Sequence, residues 1–81
     1  MASMHAREGG QLLQTGRPQE AVRSFQMGLS LDPDDVDCLL GLVRTHLSTG
    51  AAGEAEAAAL RLLKVKPDHA EAQAHLAMLR A

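Results

Sequence analysis

The stretch LQTGRPQEAV at residues 13–22 returns 34 residues later as LSTGAAGEAE at residues 47–56. Outward from these segments the two copies keep the same offset without a gap. Eight positions are identical: Leu13/Leu47, Thr15/Thr49, Gly16/Gly50, Glu20/Glu54, Ala21/Ala55, Leu29/Leu63, Pro33/Pro67 and Asp34/Asp68. A fixed period of this length predicts a repeat architecture, in which stacked units present a surface rather than one deep catalytic cleft.

Glycine and proline divide each period into two helices. Gly16 and Gly50 suit the left-handed residue that closes a helix, whereas Pro33 and Pro67 stop the helices that precede them. The pattern predicts a first helix ending near residues 15–16 and four more over residues 17–31, 35–48, 52–65 and 69–80. Because every connection is short, sequential helices must pack antiparallel. The predicted fold is all-α, with stacked antiparallel helix hairpins that form two full repeats and one additional C-terminal helix.

Composition restricts the core and the classes of partner. The 81 residues suffice for one small domain, and with one Phe and no Trp or Tyr the core must consist mainly of Leu, Val and Ala. A net charge of −2 without a basic cluster argues against nucleic-acid binding. No apolar run approaches the roughly 18 residues that span a bilayer, and no leader pattern opens the chain. We therefore expect a cytoplasmic chain without membrane insertion, and the lone Cys38 fits a reducing compartment.

The first and third helices differ in their apolar content. Apolar residues surround most of the helix at residues 35–48, which predicts burial on several sides. The first helix is polar around Gly9 and Gly10, and two adjacent glycines cost about 2 kcal/mol of helix propensity. We expect this helix to make few apolar contacts and to fray in its first half.

The period and its punctuation resemble the tetratricopeptide repeat (TPR) family over essentially the whole chain. The resemblance implies repeats at residues 2–35 and 36–69 and a half repeat at residues 70–81. It rests on six positions of the family pattern, which are in order small, large, turn, small, aromatic and proline. The first repeat has Gly9, Leu12, Gly16, Ala21, Phe25 and Pro33 there, and the second has Leu39, Leu42, Gly50, Ala55, Leu62 and Pro67. The half repeat keeps Leu76 and Ala77.

Some positions depart from the family pattern. His5 stands in place of a large aromatic residue, Glu8 in place of Leu, and Val43 in place of a small residue. In addition, the large Phe25 and small Gly28 are replaced one period later by a small and a large residue, Ala59 and Leu62. Such an exchange of volume is tolerated in cores. It predicts that Gly28 lies against a large side chain such as Phe25, and that Ala59 lies near Leu62.

In TPR proteins the first helix of each hairpin lines a concave groove that receives peptide segments. The resemblance places the following residues in that groove: Ala6, Gly10, Leu13 and Gln14; Asp37, Leu40, Arg44, Leu47 and Ser48; Glu71, Ala74 and Met78. Arg44 is the best polar anchor, because a planar guanidinium can bind a carboxylate through two hydrogen bonds; the alternative is a solvated surface charge. The family's clamp for chaperone C-termini is missing, since Ala6 and Gly10 occupy its first-repeat positions.

No set of residues indicates catalysis, a cofactor or a metal. The histidines do not pair at i, i+4, and none flanks Cys38 at a metal-ligand spacing. Cys38 matches Ala72 one period later, which favours a packing position over a nucleophile. Asp34, Asp35 and Asp37 lack the glycine and terminal glutamate of a calcium loop, so helix capping explains them.

The sequence therefore predicts a protein–protein interaction module and not an enzyme. We expect it to bind a peptide or a partner helix between the helices at residues 35–48 and 69–80, as a scaffold or adaptor. The alternative is a self-association module, in which a terminal helix of one chain, either the last helix or the first, packs against another chain. The last helix carries Leu76, Ala77, Met78 and Leu79, and is therefore more apolar than a good terminal helix of a repeat array.

Overall fold

The computed structural model describes residues 2–81, and side chains from residue 3 onward. No strand occurs in this part of the chain. Its five helices are α1 Ala2–Gln14, α2 Pro18–Leu31, α3 Val36–Thr49, α4 Ala52–Val65 and α5 Ala70–Leu79. The all-α prediction is confirmed, and the predicted helix ends agree with those observed to within one or two residues, the usual ambiguity of helix boundaries.

Each helix packs against the next one in the sequence, and α3 also packs against α1 and α5. The helix pairs α1–α2 and α3–α4 are hairpins joined by short turns, so α1, α3 and α5 lie side by side. The central position of α3 accounts for its burial. Six of its residues are buried: Cys38, Leu39, Gly41, Leu42, Val43 and Thr45.

The two hairpin turns have the same geometry. Gly16 and Gly50 adopt φ angles of +79° and +77°, which are left-handed conformations that glycine enters without strain. The amide of Arg17 donates to the carbonyl of Leu12 at 2.8 Å, and the amide of Ala51 donates to the carbonyl of His46 at 2.8 Å. These bonds close the helices in one common glycine-dependent motif. The equivalence of the two copies predicted from the sequence is confirmed.

The two helices that follow the prolines begin at equivalent residues with different caps. Asp35 accepts hydrogen bonds from the backbone amides of Asp37 and Cys38, as the capping prediction requires. One period later His69 takes the same place, and its Nδ1 accepts from the amide of Ala72 at 3.1 Å. This ring nitrogen must therefore be unprotonated.

The core is built around Phe25, whose side chain is 2% exposed. A Cβ atom on Gly9 would lie 2.6 Å from the Cε1 atom of this ring, and one on Gly41 would lie closer still. The ring is therefore held between α1 and α3, at the two places where no side chain projects. Gly28, Ala59 and Leu62 are also buried. The contact of Gly28 with a large side chain stays a prediction.

The expectation that α1 makes few apolar contacts is wrong. Gly9 is buried against Phe25, and Leu12 and Leu13 pack against the core. Glu8, which departs from the family pattern, accepts a hydrogen bond of 2.9 Å from the hydroxyl of the buried Ser24. Helix propensity alone understates the attachment of this helix, because its glycine allows close packing. Fraying of its first half stays a prediction.

Candidate peptide-binding groove

A groove of about 490 Å³ lies between α1 and α3. Part of its surface is formed by Phe25 and Gly41, so the side chain that centres the core also reaches the groove. A Cβ atom on Gly10 would meet no other atom within 4 Å, which leaves the α1 wall open at that position. The full lining is Ser3, Ala6, Arg7, Gly10, Leu13, Gln14, Phe25, Asp37, Leu40, Gly41 and Arg44.

The structure brings together seven of the twelve residues predicted to line a groove. These are Ala6, Gly10, Leu13, Gln14, Asp37, Leu40 and Arg44. The other five, Leu47, Ser48, Glu71, Ala74 and Met78, lie outside this lining. The groove lies one hairpin closer to the N-terminus than the surface between α3 and α5 that is predicted to bind a partner. Partner binding by the predicted residues stays a prediction.

Outside the groove the predicted residues have different surroundings. Leu47 is half-buried against the core, whereas Met78 on α5 is 59% exposed. Glu71 contacts Arg44. Of the lining residues that the sequence reasoning missed, Ser3 and Arg7 share the helical face of Gly10 and Gln14, so the period of α1 could have identified them. Gly41 carried no such signal, because its role depends on the tertiary contact with Phe25.

Arg44 forms a two-pronged ion pair with Glu71 of its own chain. Its Nε donates to Oε2 at 2.7 Å and its Nη2 donates to Oε1 at 2.6 Å, while Nε2 of His75 lies 3.0 Å from Oε2. The hydrogen bonds from Arg44, with a smaller contribution from His75, lower the pKa of Glu71 to about 2. The same pair raises the pKa of Arg44. The predicted carboxylate-binding geometry is therefore present, but Glu71 already supplies the carboxylate.

The Arg44–Glu71 pair is expected to add a pH-dependent increment to stability. The pKa of Glu71 falls from an ordinary 4.5 to about 2 on folding, so the increment is present above pH 4.5 and is lost as the pH falls towards 2. The two side chains are 52% and 36% exposed, which limits the increment to about 1 kcal/mol or less. Urea denaturation of Glu71→Gln against the parent chain measures it.

The parent and the Glu71→Gln variant should differ at pH 6 and converge near pH 2. A matched control is Glu20→Gln, which removes a looser exposed pair in which Arg17 Nη1 lies 3.8 Å from Glu20 Oε2. A pH-independent difference for Glu71→Gln would contradict the assignment of its effect to the charge.

Cys38 lies in the core. Burial, reinforced by the nearby Asp35, raises the pKa of its thiol to about 11, so the sulfur is protonated at neutral pH. A thiol in this state is a poor nucleophile and a poor metal ligand. In residues 2–81 no group of three or more His, Cys, Asp or Glu side chains is arranged to hold a metal ion. No helix in that range has the length and hydrophobicity needed to cross a bilayer.

A sequence-family model described as a tetratricopeptide repeat matches residues 12–79. The match covers four complete helices and the end of α1. This chain belongs to the tetratricopeptide repeat family. TPR arrays are a non-catalytic interaction fold, so membership implies a scaffold role in protein–protein association.

Among curated proteins, the chain is similar to the outer dynein arm-docking complex subunit 4 of Danio rerio. The two are 44% identical over 48 residues, which is 59% of this chain. The same segment is only 10% of that relative. The likeness therefore concerns a short stretch of a much longer protein.

Proposed function

We propose that this TPR chain is a scaffold or adaptor that binds a peptide segment or a partner helix in the groove between α1 and α3. The observation that carries the proposal is the shape of the groove. The partly buried Leu13 and Leu40 line it from the two walls, and the α1 wall is open at Gly10. A partner's apolar side chain could bury its surface there without moving the backbone.

The comparison with a curated protein agrees with such a role. The relative from Danio rerio is by its name a subunit of a docking complex, so part of it resembles a chain whose fold presents binding surfaces. We propose that the repeats comprise residues 2–35, 36–69 and 70–81. We also propose that the protein is cytoplasmic. In this proposal the chain binds a protein partner and binds no nucleic acid, metal or cofactor.

Blocking the groove tests the proposal. A random peptide library displayed on phage is selected on the whole chain, and the affinity of an enriched synthetic peptide is measured by fluorescence anisotropy. Gly10→Phe introduces a ring into the open part of the groove and should weaken binding at least tenfold. Gly53→Phe is the matched control, because Gly53 lies on α4 outside the groove and a Cβ atom there also meets no other atom within 4 Å.

Circular dichroism must show that both phenylalanine variants keep their helices. Equal binding by the Gly10→Phe variant and the parent would exclude this groove as the site. Failure of the parent chain to enrich any peptide would argue against peptide binding altogether.

Self-association is the second candidate function, and the surface of α5 favours it. The helix fully buries only Ala72, while Met78 remains 59% exposed. An apolar face of this kind could pack against a second copy of the chain. Light scattering at several concentrations measures the oligomeric state. A strict monomer through high micromolar concentration excludes self-association, and a dimer that survives both Met78→Glu and Leu79→Glu excludes α5 as its interface.

A further inference from the structure

We infer that the groove selects a peptide carrying one acidic and one basic side chain beside an apolar one, with the acid bound at Arg7 and the base at Asp37. This inference rests on the proposed function, since it specifies the ligand of the same groove. It follows from the distribution of charge around the groove.

Three charged residues line the groove, and one of them is already neutralised. Arg44 is bound on two of its nitrogen atoms by Glu71. A partner carboxylate that took this place would have to displace Glu71 from two hydrogen bonds of 2.7 and 2.6 Å. The residue that the sequence favoured as the anchor is therefore a poor site for a second acid.

Arg7 and Asp37 are the charged groups available to a partner. Both are exposed, and in the part of the chain whose side chains are described neither side chain forms a hydrogen bond or a close ion pair. Asp37 does lie near enough to Arg44 for its charge to help raise the pKa of that guanidinium. Arg7 belongs to the α1 wall and Asp37 to the α3 wall. Two charges of opposite sign without a hydrogen-bonded partner lie on facing walls, so they complement a ligand whose acid faces Arg7 and whose base faces Asp37. A ligand with the opposite arrangement would meet like charges.

The repeat sets the spacing of these two charges along the groove. One period of 34 residues maps Arg7 onto Gly41, which lies four residues, or about 6 Å of helix, beyond Asp37. The acid and the base of the ligand should therefore be offset by about one helical turn along the groove, in addition to the separation of its two walls. Leu13 and Leu40 line the same groove, are only partly buried, and supply the contact for the apolar side chain.

A charge swap tests the inference without altering net charge. Phage-displayed random peptides are selected in parallel on the parent chain and on Arg7→Glu/Asp37→Lys. The parent should enrich peptides with an acid and a base in one order relative to the apolar residue, and the swapped variant should enrich the reverse order. The control is Arg23→Glu/Asp68→Lys, an equal swap at exposed residues outside the groove, and should enrich the parental order.

Single variants provide a second measurement should the double swap fail to fold. Arg7→Gln should remove the preference for the acid and Asp37→Asn the preference for the base, each weakening a parental peptide about two- to fivefold at low salt. Enriched peptides that lack the charge pattern, or keep it in the swapped variant, overturn the inference. If those peptides still lose binding with Gly10→Phe, the proposed function stands. If no peptide is enriched, both fail.

Discussion

Replacement of Phe25 by alanine is expected to lower the free energy of unfolding by about 3–5 kcal/mol. The ring is 2% exposed, and Phe25 is the only Phe, Tyr or Trp residue of the protein. It is held between Gly9 and Gly41, neither of which has a side chain that could fill the space left by its removal. The cavity would therefore persist, and a persistent cavity adds to the loss of burial.

A loss of this size is a large fraction of the total stability of a small domain. Domains of about 80 residues have a stability of roughly 4–12 kcal/mol in total. Urea denaturation followed by far-ultraviolet circular dichroism measures the change, with a stabilising osmolyte added if the variant is unfolded in buffer alone.

Met27→Ala is the matched control for Phe25→Ala. Met27 lies on the same helix two residues later but is 51% exposed, so its truncation should change stability by no more than about 0.5 kcal/mol. A loss below about 1 kcal/mol for Phe25→Ala would mean that the ring does not hold α1 and α3 together. The groove described above would then have no fixed floor.

The helices and turns could be predicted from the sequence because local chemistry determines them. Gly16 and Gly50 occupy left-handed conformations that other residues enter at a cost, and Pro33 and Pro67 cannot continue a helix. These constraints act within a few residues, so the helices and turns of each repeat can be predicted from its own sequence. The cap at Asp35 is of the same kind.

Contacts between residues far apart in the sequence could not be predicted from local chemistry. Gly9 alone suggests a weak helix, and the sequence does not reveal that a ring from α2 and a second glycine from α3 meet it. The role of Gly41 was not predicted, for the same reason. Gly41 matters because it lacks a side chain where α3 contacts the ring of Phe25, which lies 16 residues earlier in the sequence. Where a glycine stabilises by close approach, helix propensity predicts the wrong sign.

The groove shows the same division between local and distant effects. Seven of the residues that the family resemblance assigned to a groove line one groove between α1 and α3, because a helical period fixes which residues share a face. The ion pair of Arg44 joins residues 27 apart, and depends on how α5 is placed against α3. Consequently the sequence predicted a carboxylate partner for Arg44 but did not locate it within the chain.

Alanine at Gly10 is expected to stabilise the protein, whereas alanine at Gly9 or Gly41 is expected to destabilise it. Each substitution gains about 0.5–1 kcal/mol from helix propensity. At Gly10 nothing opposes the gain, since the new methyl group meets no other atom within 4 Å. At Gly9 the methyl group would lie 2.6 Å from a carbon of the buried ring, and at Gly41 closer still, so atoms must shift. Overpacking of this kind costs about 1–3 kcal/mol, and more where the approach is closest.

The expected order of stability is therefore Gly10→Ala, parent, Gly9→Ala and Gly41→Ala, from highest to lowest. Thermal and urea denaturation of the four chains measure it. Combining Gly41→Ala with Phe25→Leu identifies the cause, because a smaller and more flexible side chain should absorb part of the collision and make the double variant less destabilised than the two single effects added together. Equal gains at Gly9 and Gly10 would show that helix propensity alone governs α1. The ring would then have room to move away, and the close approach of α1 to α2 could not be what holds the first helix in place.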